Sequence, residues 1–412
     1  MFNRLFGRKL VRYAVPALGV AAILGGCSSS SPSTNNTGTG TSGMPTYTIA
    51  YEGPLSGGNQ QLGLNMKFAV NLAINQANSG TSAFGHLPFK LAFKSADDQG
   101  SGTVSPSVAT SLVDDSSVVA VVGPAFSGAT KAAEPTFSAA NLATVTPSAT
   151  NPALATQGWS NFFRVVADDN AQGPADADYI SKTLHLTSVY VVDDASAYAV
   201  GLTQAFSTEA NKLAMKVTSE EVPGTTQCQA GTGSVTEYPA AATKVVSSKA
   251  QAVYYGGYYC DFADFAKALR SAGYTGLLFS DDGSLDPHYV SAAGTKNAAG
   301  TLISCPCQDL TTNSAAKTFV DQFKALAGFA IGTYSGESYD AANTIITVLK
   351  SLAASAGASH ITRQDVVNAL KTVTYAGITK TIHFGSNGDI AGTAEYVYKV
   401  EANGTITEVG LA

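Results

Sequence analysis

Two neighbouring carboxylates, Asp281 and Asp282, follow the apolar run 276–279 and Ser280 and precede Gly283. A carboxylate so placed can hold an ammonium group; the plainer alternative is a helix N-cap followed by a solvated acid. Hydroxyl residues stand at two other breaks in the chain. Ser127, in Gly123-Pro-Ala-Phe-Ser127-Gly-Ala-Thr130, opens a helical stretch. Free N–H groups and the positive end of the helix dipole suit a carboxylate or phosphate there. Capping the helix is the commoner task of a serine at that position. Ser148 and Thr150 lie in Thr146-Pro-Ser148-Ala149-Thr150-Asn-Pro152. The two prolines restrict this loop and would leave its N–H groups free for an anion; an ordinary turn reads the same way. A fourth group is aromatic: Tyr254, Tyr255, Tyr258 and Tyr259 surround Gly256-Gly257. Tyr258 and Tyr259 could wall a pocket or simply pack in the core. Anion donors in one half of the chain, with a carboxylate and aromatics in the other, complement an amino-acid zwitterion. Each charge-assisted hydrogen bond would contribute roughly 1.5–3 kcal/mol.

The elements that must position these groups alternate. Residues 46–52 read as a strand, a Gly-rich loop follows at 53–58, and from Leu62 the positions Met66, Ala69, Val70, Ala73, Ile74 and Ala77 recur at helical spacing. Strands are predicted at 89–94, 118–122 and 143–145, with helices at 103–113 and 128–140. After Trp159 and Arg164 the pattern restarts. Strands are predicted at 188–192, 216–222, 252–255 and 276–279, with helices at 198–213, 238–247 and 261–272. Such alternation demands parallel sheets covered by helices. Two successive runs imply two α/β lobes of this kind. Beyond residue 300 helices dominate, at 315–326, 339–354 and 363–372, with strands at 380–384 and 395–400. This part is expected to cross back and complete the first two lobes.

A chain of 412 residues exceeds one ordinary core. With 45% apolar and 13% charged residues it is neither disordered nor a basic nucleic-acid binder. Arg4, Arg8, Lys9 and Arg12 precede the short apolar run 13–24 and Leu24-Gly25-Gly26-Cys27. This resembles a bacterial lipoprotein signal, lipidated at Cys27; the run is shorter than the roughly 20 apolar residues that span a bilayer. Removing residues 1–26 takes away four bases and no acids, leaving 20 − 30 = −10. Residues 28–43 hold no large apolar and no charged residue and read as a flexible tether, so the match Gly38-Thr-Gly40-Thr-Ser-Gly43 to a dinucleotide fingerprint lacks its strand and helix. Cys228, Cys260, Cys305 and Cys307 remain as disulfide candidates, with three pairings possible. No metal site is expected, because Cys305-Pro-Cys307 lacks ligand spacing. His86, His185, His288, His360 and His383 stand beside no convincing nucleophile, which argues against an exported hydrolase.

Gly53-Pro-Leu-Ser-Gly57, the loop 146–152, Gln172-Gly-Pro174, Val253-Tyr-Tyr-Gly-Gly-Tyr258 and Gly388-Asp-Ile390 occur in this order from residue 46 onward. The set resembles the type I periplasmic-binding-fold proteins, close to the leucine/isoleucine/valine-binding proteins of branched-chain amino-acid ABC transporters. The resemblance implies two Rossmann-like lobes joined by three crossings, residues 46–168 plus 304–384 and residues 169–303 plus 385–412, after a signal (1–26) and a lipidated tether (27–45). It also implies an extracytoplasmic, lipid-anchored monomer that binds a small amino acid or analogue and delivers it to permease and ATPase subunits, with no cofactor and no nucleic-acid partner. A ligand-sensing receptor would share the fold. By the same resemblance Ser127 and Thr150, with backbone groups near Ser148 and Ala149, bind the ligand carboxylate. Tyr198 and Tyr258 close over the ligand, and Asp282 stands where the family has an acid, typically glutamate, for the ammonium. Leu62 and Phe126 occupy lining positions where well-known members have tyrosine and cysteine, and Asp169 lies at the first crossing.

Overall fold

Short apolar runs rich in valine form the central strands of two sheets, with more polar strands at the edges. In the computed structural model, which describes residues 43–224, 236–392 and 394–412, the first sheet contains β1 (Thr46–Gly53), β2 (Lys90–Asp97), β3 (Val118–Val122), β4 (Ala143–Thr146) and β5 (Phe162–Arg164). Its order is β2-β1-β3-β4-β5 and every pairing is parallel. The second contains β6 (Ser188–Asp193), β7 (Lys216–Glu221), β8 (Ala252–Gly256), β9 (Leu277–Ser280) and β10 (Leu302–Cys305). A small hairpin of β11 (Tyr375–Ala376) and β12 (Thr381–Ile382) stands apart, while β13 (Tyr396–Val400) and β14 (Ile406–Leu411) extend the second sheet. Its order is β14-β13-β10-β9-β8-β6-β7, antiparallel only at β10–β13 and β13–β14. All five residues of β3 and of β8 are buried, as central parallel strands covered on both faces require.

Helices cover those faces. They are α1 (Gln60–Ser79), α2 (Ser105–Asp114), α3 (Ser127–Ala139), α4 (Asp169–Asp178), α5 (Ala197–Lys212), α6 (Tyr238–Ser248), α7 (Tyr259–Ser271), α8 (Pro287–Ala293), α9 (Thr295–Ala298), α10 (Lys317–Ala327), α11 (Ser335–Ala356) and α12 (Arg363–Leu370). The late helix α11 packs on α1, and α12 contacts β3 and β4, so the chain returns to the first sheet before β13 and β14 join the second. It therefore passes between the two sheets three times. Among the described residues no helix is long and apolar enough to cross a membrane.

The expected alternation matches these elements, with two kinds of difference. The strand expected at 380–384 contracts to β12, with an isolated bridge between Phe384 and Ile390. Periodicity does not announce β5, α4, α8, α9, β10, β11 or β14. β5 and β10 are three and four residues long, and α4 (Asp-Asn-Ala-Gln-Gly-Pro-Ala-Asp-Ala-Asp) is polar with a proline inside. Cys27, Cys228, the signal and the tether through residue 42 lie outside the described residues. Cys305 is bonded to Cys307, and Cys260 is also disulfide-bonded.

Candidate functional site

Both parallel runs have the strand order 2-1-3-4-5, so connections from β1 and β3, and from β6 and β8, leave in opposite directions. A crevice opens at the carboxyl ends of the strands where the direction reverses, and ligands of open α/β sheets sit there. Each sheet sends residues to one shared cavity. Leu62 and Met66 come from α1, Phe126 and Ser127 from the end of β3, and Ser148 from the end of β4. Tyr198 comes from the first turn of α5, Tyr258 from the end of β8, and Asp282 and Gly283 from the end of β9. Tyr334, held at φ 63° just before α11, completes the wall.

The walls meet. Phe126 stacks on Tyr258 with ring centroids 4.3 Å apart and planes 25° from parallel, and Tyr198 lies 5.4 Å from Tyr258. The space left is about 10 Å³, room for about one water molecule. Anything larger must part the Phe126–Tyr258 stack, which joins the two sheets' contributions.

Asp282 is the polar centre. It is 3% exposed, and its two oxygens accept from the Tyr198 and Tyr334 hydroxyls, each at 2.7 Å. Burial raises its carboxyl above the usual range, and these hydrogen bonds oppose the shift. Asp281 is raised further, by burial and then by the neighbouring Asp282, although its Oδ2 accepts the Gly257 N–H at 3.0 Å. Burial likewise pushes Asp169, Asp176 and Glu395 well up, and Asp282 adds to each shift. The site is thus poor in positive charge, and an entering cation would favour ionised Asp282. Gly283 must be glycine for this packing: a Cβ there would meet the Gly257 carbonyl oxygen at 2.5 Å and Tyr198 Cε1 at 2.9 Å.

Ser127 does not cap its helix. Phe126 is the N-cap, and Ser127 Oγ accepts the Asn151 N–H at 3.2 Å, joining the ends of β3 and β4. The loop after β4 differs from the expectation of free N–H groups. Thr146 Oγ1 accepts from Ala149 N at 3.1 Å and from Ser148 N at 3.5 Å, so these two donors are already engaged within the loop. Ser148 Oγ donates to the Ala125 carbonyl at 2.7 Å. Arg164, fully buried, holds the same loop from beneath. It donates to the carbonyl oxygens of Ala149 at 3.1 Å and Asn151 at 2.9 Å, and pairs with Asp389 at 2.7 Å.

Seven residues singled out in the sequence, Leu62, Phe126, Ser127, Ser148, Tyr198, Tyr258 and Asp282, line the cavity. Ala149, Thr150 and Asp169 are buried beside it without lining it, and Asp169 N donates to the Thr150 carbonyl at 3.0 Å. The acids 281–282 are buried, which removes the alternative of a solvated acid. Tyr254 and Tyr255 are core: Tyr254 stacks on Phe206 at 3.8 Å and Tyr255 on Phe262 at 4.8 Å. Tyr259 turns to the Gly58 carbonyl at 2.5 Å. Three lining residues were not singled out as binding residues. Met66 is legible as an apolar face of α1 but not as a cavity face, Gly283 acts through closeness of backbone, and Tyr334 sits in an irregular turn.

The sequence profile of the periplasmic binding protein family matches residues 46–405. An amino acid binding protein of Pseudomonas aeruginosa is 28% identical over 333 residues, 81% of this chain and 82% of its own. The Leu/Ile/Val-binding protein homolog 3 of Brucella melitensis is 31% identical over 280 residues, 68% of this chain and 72% of its own. In three dimensions the chain is similar to the branched-chain amino acid transporter substrate binding protein LivJ of Streptococcus pneumoniae, solved with isoleucine. The TM-score is 0.77 at 23% identity, over 89% of this chain and 99% of the other. At that identity the likeness speaks for the fold, while the profile and the sequence relatives carry the family. With its two helix-covered sheets and the cavity at their switch points, the chain belongs to the periplasmic binding protein family.

Proposed function

We propose that this chain is the substrate-binding component of an ABC transporter, and that it takes an amino-acid zwitterion with a small apolar side chain between two lobes, residues 46–168 with 304–384 and residues 169–303 with 385–412. The observation that carries the reading is Asp282, a buried carboxyl held by two tyrosine hydroxyls across the cavity from the hydroxyls of Ser127 and Ser148. Each carboxylate oxygen keeps a second acceptor site, so the ligand ammonium donates to Asp282 while its carboxylate lies against Ser127 and the Ser148–Thr150 loop. The side chain replaces the contact between Phe126 and Tyr258 and packs against Leu62. Because the two ends of the ligand bind different lobes, the ligand favours the closed arrangement by its own differential contacts. Binding and release suffice; no bond is made. Lipidation at Cys27 tethers the protein outside the cytoplasmic membrane, within reach of the permease.

Thermal-shift titration of residues 44–412 against amino acids, amides and short carboxylates tests this. A true ligand at 100 times its dissociation constant adds about 2.7 kcal/mol of stability. A shift produced by sugars or nucleosides and by no amino acid or analogue refutes the reading.

A further inference from the structure

A second cavity of about 210 Å³ borders Tyr334 and opens between the segments 307–311 and 331–337 and the strands β13 and β14. Its walls are apolar at Leu285, Leu310, Ile331 and Ile406, and acidic at Asp309 and Glu337; among the described residues no lysine, arginine or histidine lines it. The two acids differ. Asp309 Oδ1 is occupied by the N–H and hydroxyl of Thr311, at 2.8 and 2.6 Å. Glu337 is 3% exposed, and its Oε1 has no hydrogen-bond partner among the described residues. Lys380 acts on Glu337 through space, but its ammonium donates to the Pro306 carbonyl oxygen at 3.4 Å. A buried acceptor without a donor is costly, and a ligand that supplies an N–H relieves that cost.

We infer that this cavity is a second ligand site, and that it takes a small organic ammonium ion whose apolar body lies among Leu310, Ile331 and Ile406 and whose N–H donates to Glu337 Oε1. An apolar cavity of roughly 150 Å³ accommodates a benzene-sized molecule. The larger space here therefore has room for a ring with a short amine-bearing arm. Burial pushes the Glu337 carboxyl up to about 7, so an arriving cation meets a group that is readily ionised near neutrality. The inference does not rest on the zwitterion reading, because the ligand needs no carboxylate and touches neither Ser127 nor Asp282; the two cavities share only the Tyr334 wall among their described lining residues.

Phenethylamine, which has no carboxylate, is the probe, titrated by calorimetry near pH 7.5 against residues 44–412. Saturable binding is expected, weakened at least about ten-fold by Glu337→Gln and by replacing the amine with neutral 2-phenylethanol. Asp282→Asn is expected to leave it within about two-fold. Thr311→Trp, at an exposed residue of the mouth, is expected to abolish it by filling the cavity; it also loses the hydroxyl bond to Asp309, so a cooperative melt is required to show that the variant folds, which keeps the test decisive if Glu337→Gln folds poorly. Absence of saturable binding overturns the inference. So does binding that survives Thr311→Trp, or binding lost in Asp282→Asn, which would place the amine in the principal cavity.

Discussion

At Asp282 a single charge is asked to do what the rest of the principal cavity cannot, since its other walls are aromatic, aliphatic or hydroxyl. Asp282→Asn keeps the shape and one acceptor oxygen but removes the charge. It is expected to weaken amino-acid binding by about 1.5–3 kcal/mol, roughly 10- to 150-fold, with the fold intact by circular dichroism. The raised carboxyl also sets a direction with pH. Below its raised pKa Asp282 is protonated in the free protein and must lose that proton to receive an ammonium. Affinity therefore falls as pH is lowered through the raised range of this carboxyl, with proton release on binding. Calorimetry in two buffers of different ionisation enthalpy measures both. In Asp282→Asn this part of the pH dependence disappears; an unchanged profile would remove Asp282 from the site.

At the scale of elements, the cavity depends on how strand ends are held. Gly257, between β8 and α7, has φ 149°, and a Cβ there would lie 2.6 Å from Asp194 Oδ2 and 2.9 Å from Tyr255 Cε1. Gly257→Ala is expected to destabilise by about 1–3 kcal/mol in chemical denaturation and to weaken ligand binding, because the same turn aims Tyr258. Beneath the other wall, Arg164 ties β5, the loop after β4 and the segment at Asp389 together. Arg164→Leu removes a donor from Asp389, which keeps Asn387, from the Asn151 carbonyl, which keeps Leu154 N, and from the Ala149 carbonyl. Losing one member of a fully buried pair costs about 3–5 kcal/mol, and the cost here is expected below that because Asp389 is partly exposed; a variant that melts with the parent would show that the network bears little of the stability.

At the scale of the whole molecule, buried acids set the response to pH. Burial raises Glu52 to about 8, Asp98, Glu134, Asp194 and Glu337 to about 7, and Asp340 to about 6. Each binds a proton in the folded chain at pH values where the unfolded chain has already released it. These groups favour the folded state most at and below the ordinary carboxylate range, and the advantage is lost as pH rises toward about 8. Asp115, lowered to about 2 chiefly by its Lys94 partner, acts oppositely at lower pH, but it is largely exposed and contributes little. The melting temperature of the ligand-free protein is therefore expected to be higher near pH 5 than near pH 8. Scanning calorimetry across that range checks the sign.

Sequence alone determined the alternation of strands and helices, the restart after Arg164, and the glycine breaks that end β1, β3 and β8. Those follow from local periodicity and backbone freedom, which the chain carries at every point. It also determined which residue types stand at the strand ends, and with them Ser127, Ser148, Tyr258 and Asp282. Tertiary structure decided what those residues face. Asp282 meets Tyr334 across 52 positions of sequence, Phe126 meets Tyr258 between the two sheets, and Arg164 meets Asp389 across 225. Each of these contacts is made by chain segments that no repeat relates. Burial of the two acids was likewise undecided by their own neighbours, because Asp281 and Asp282 read equally well as solvated until the surrounding elements close over them.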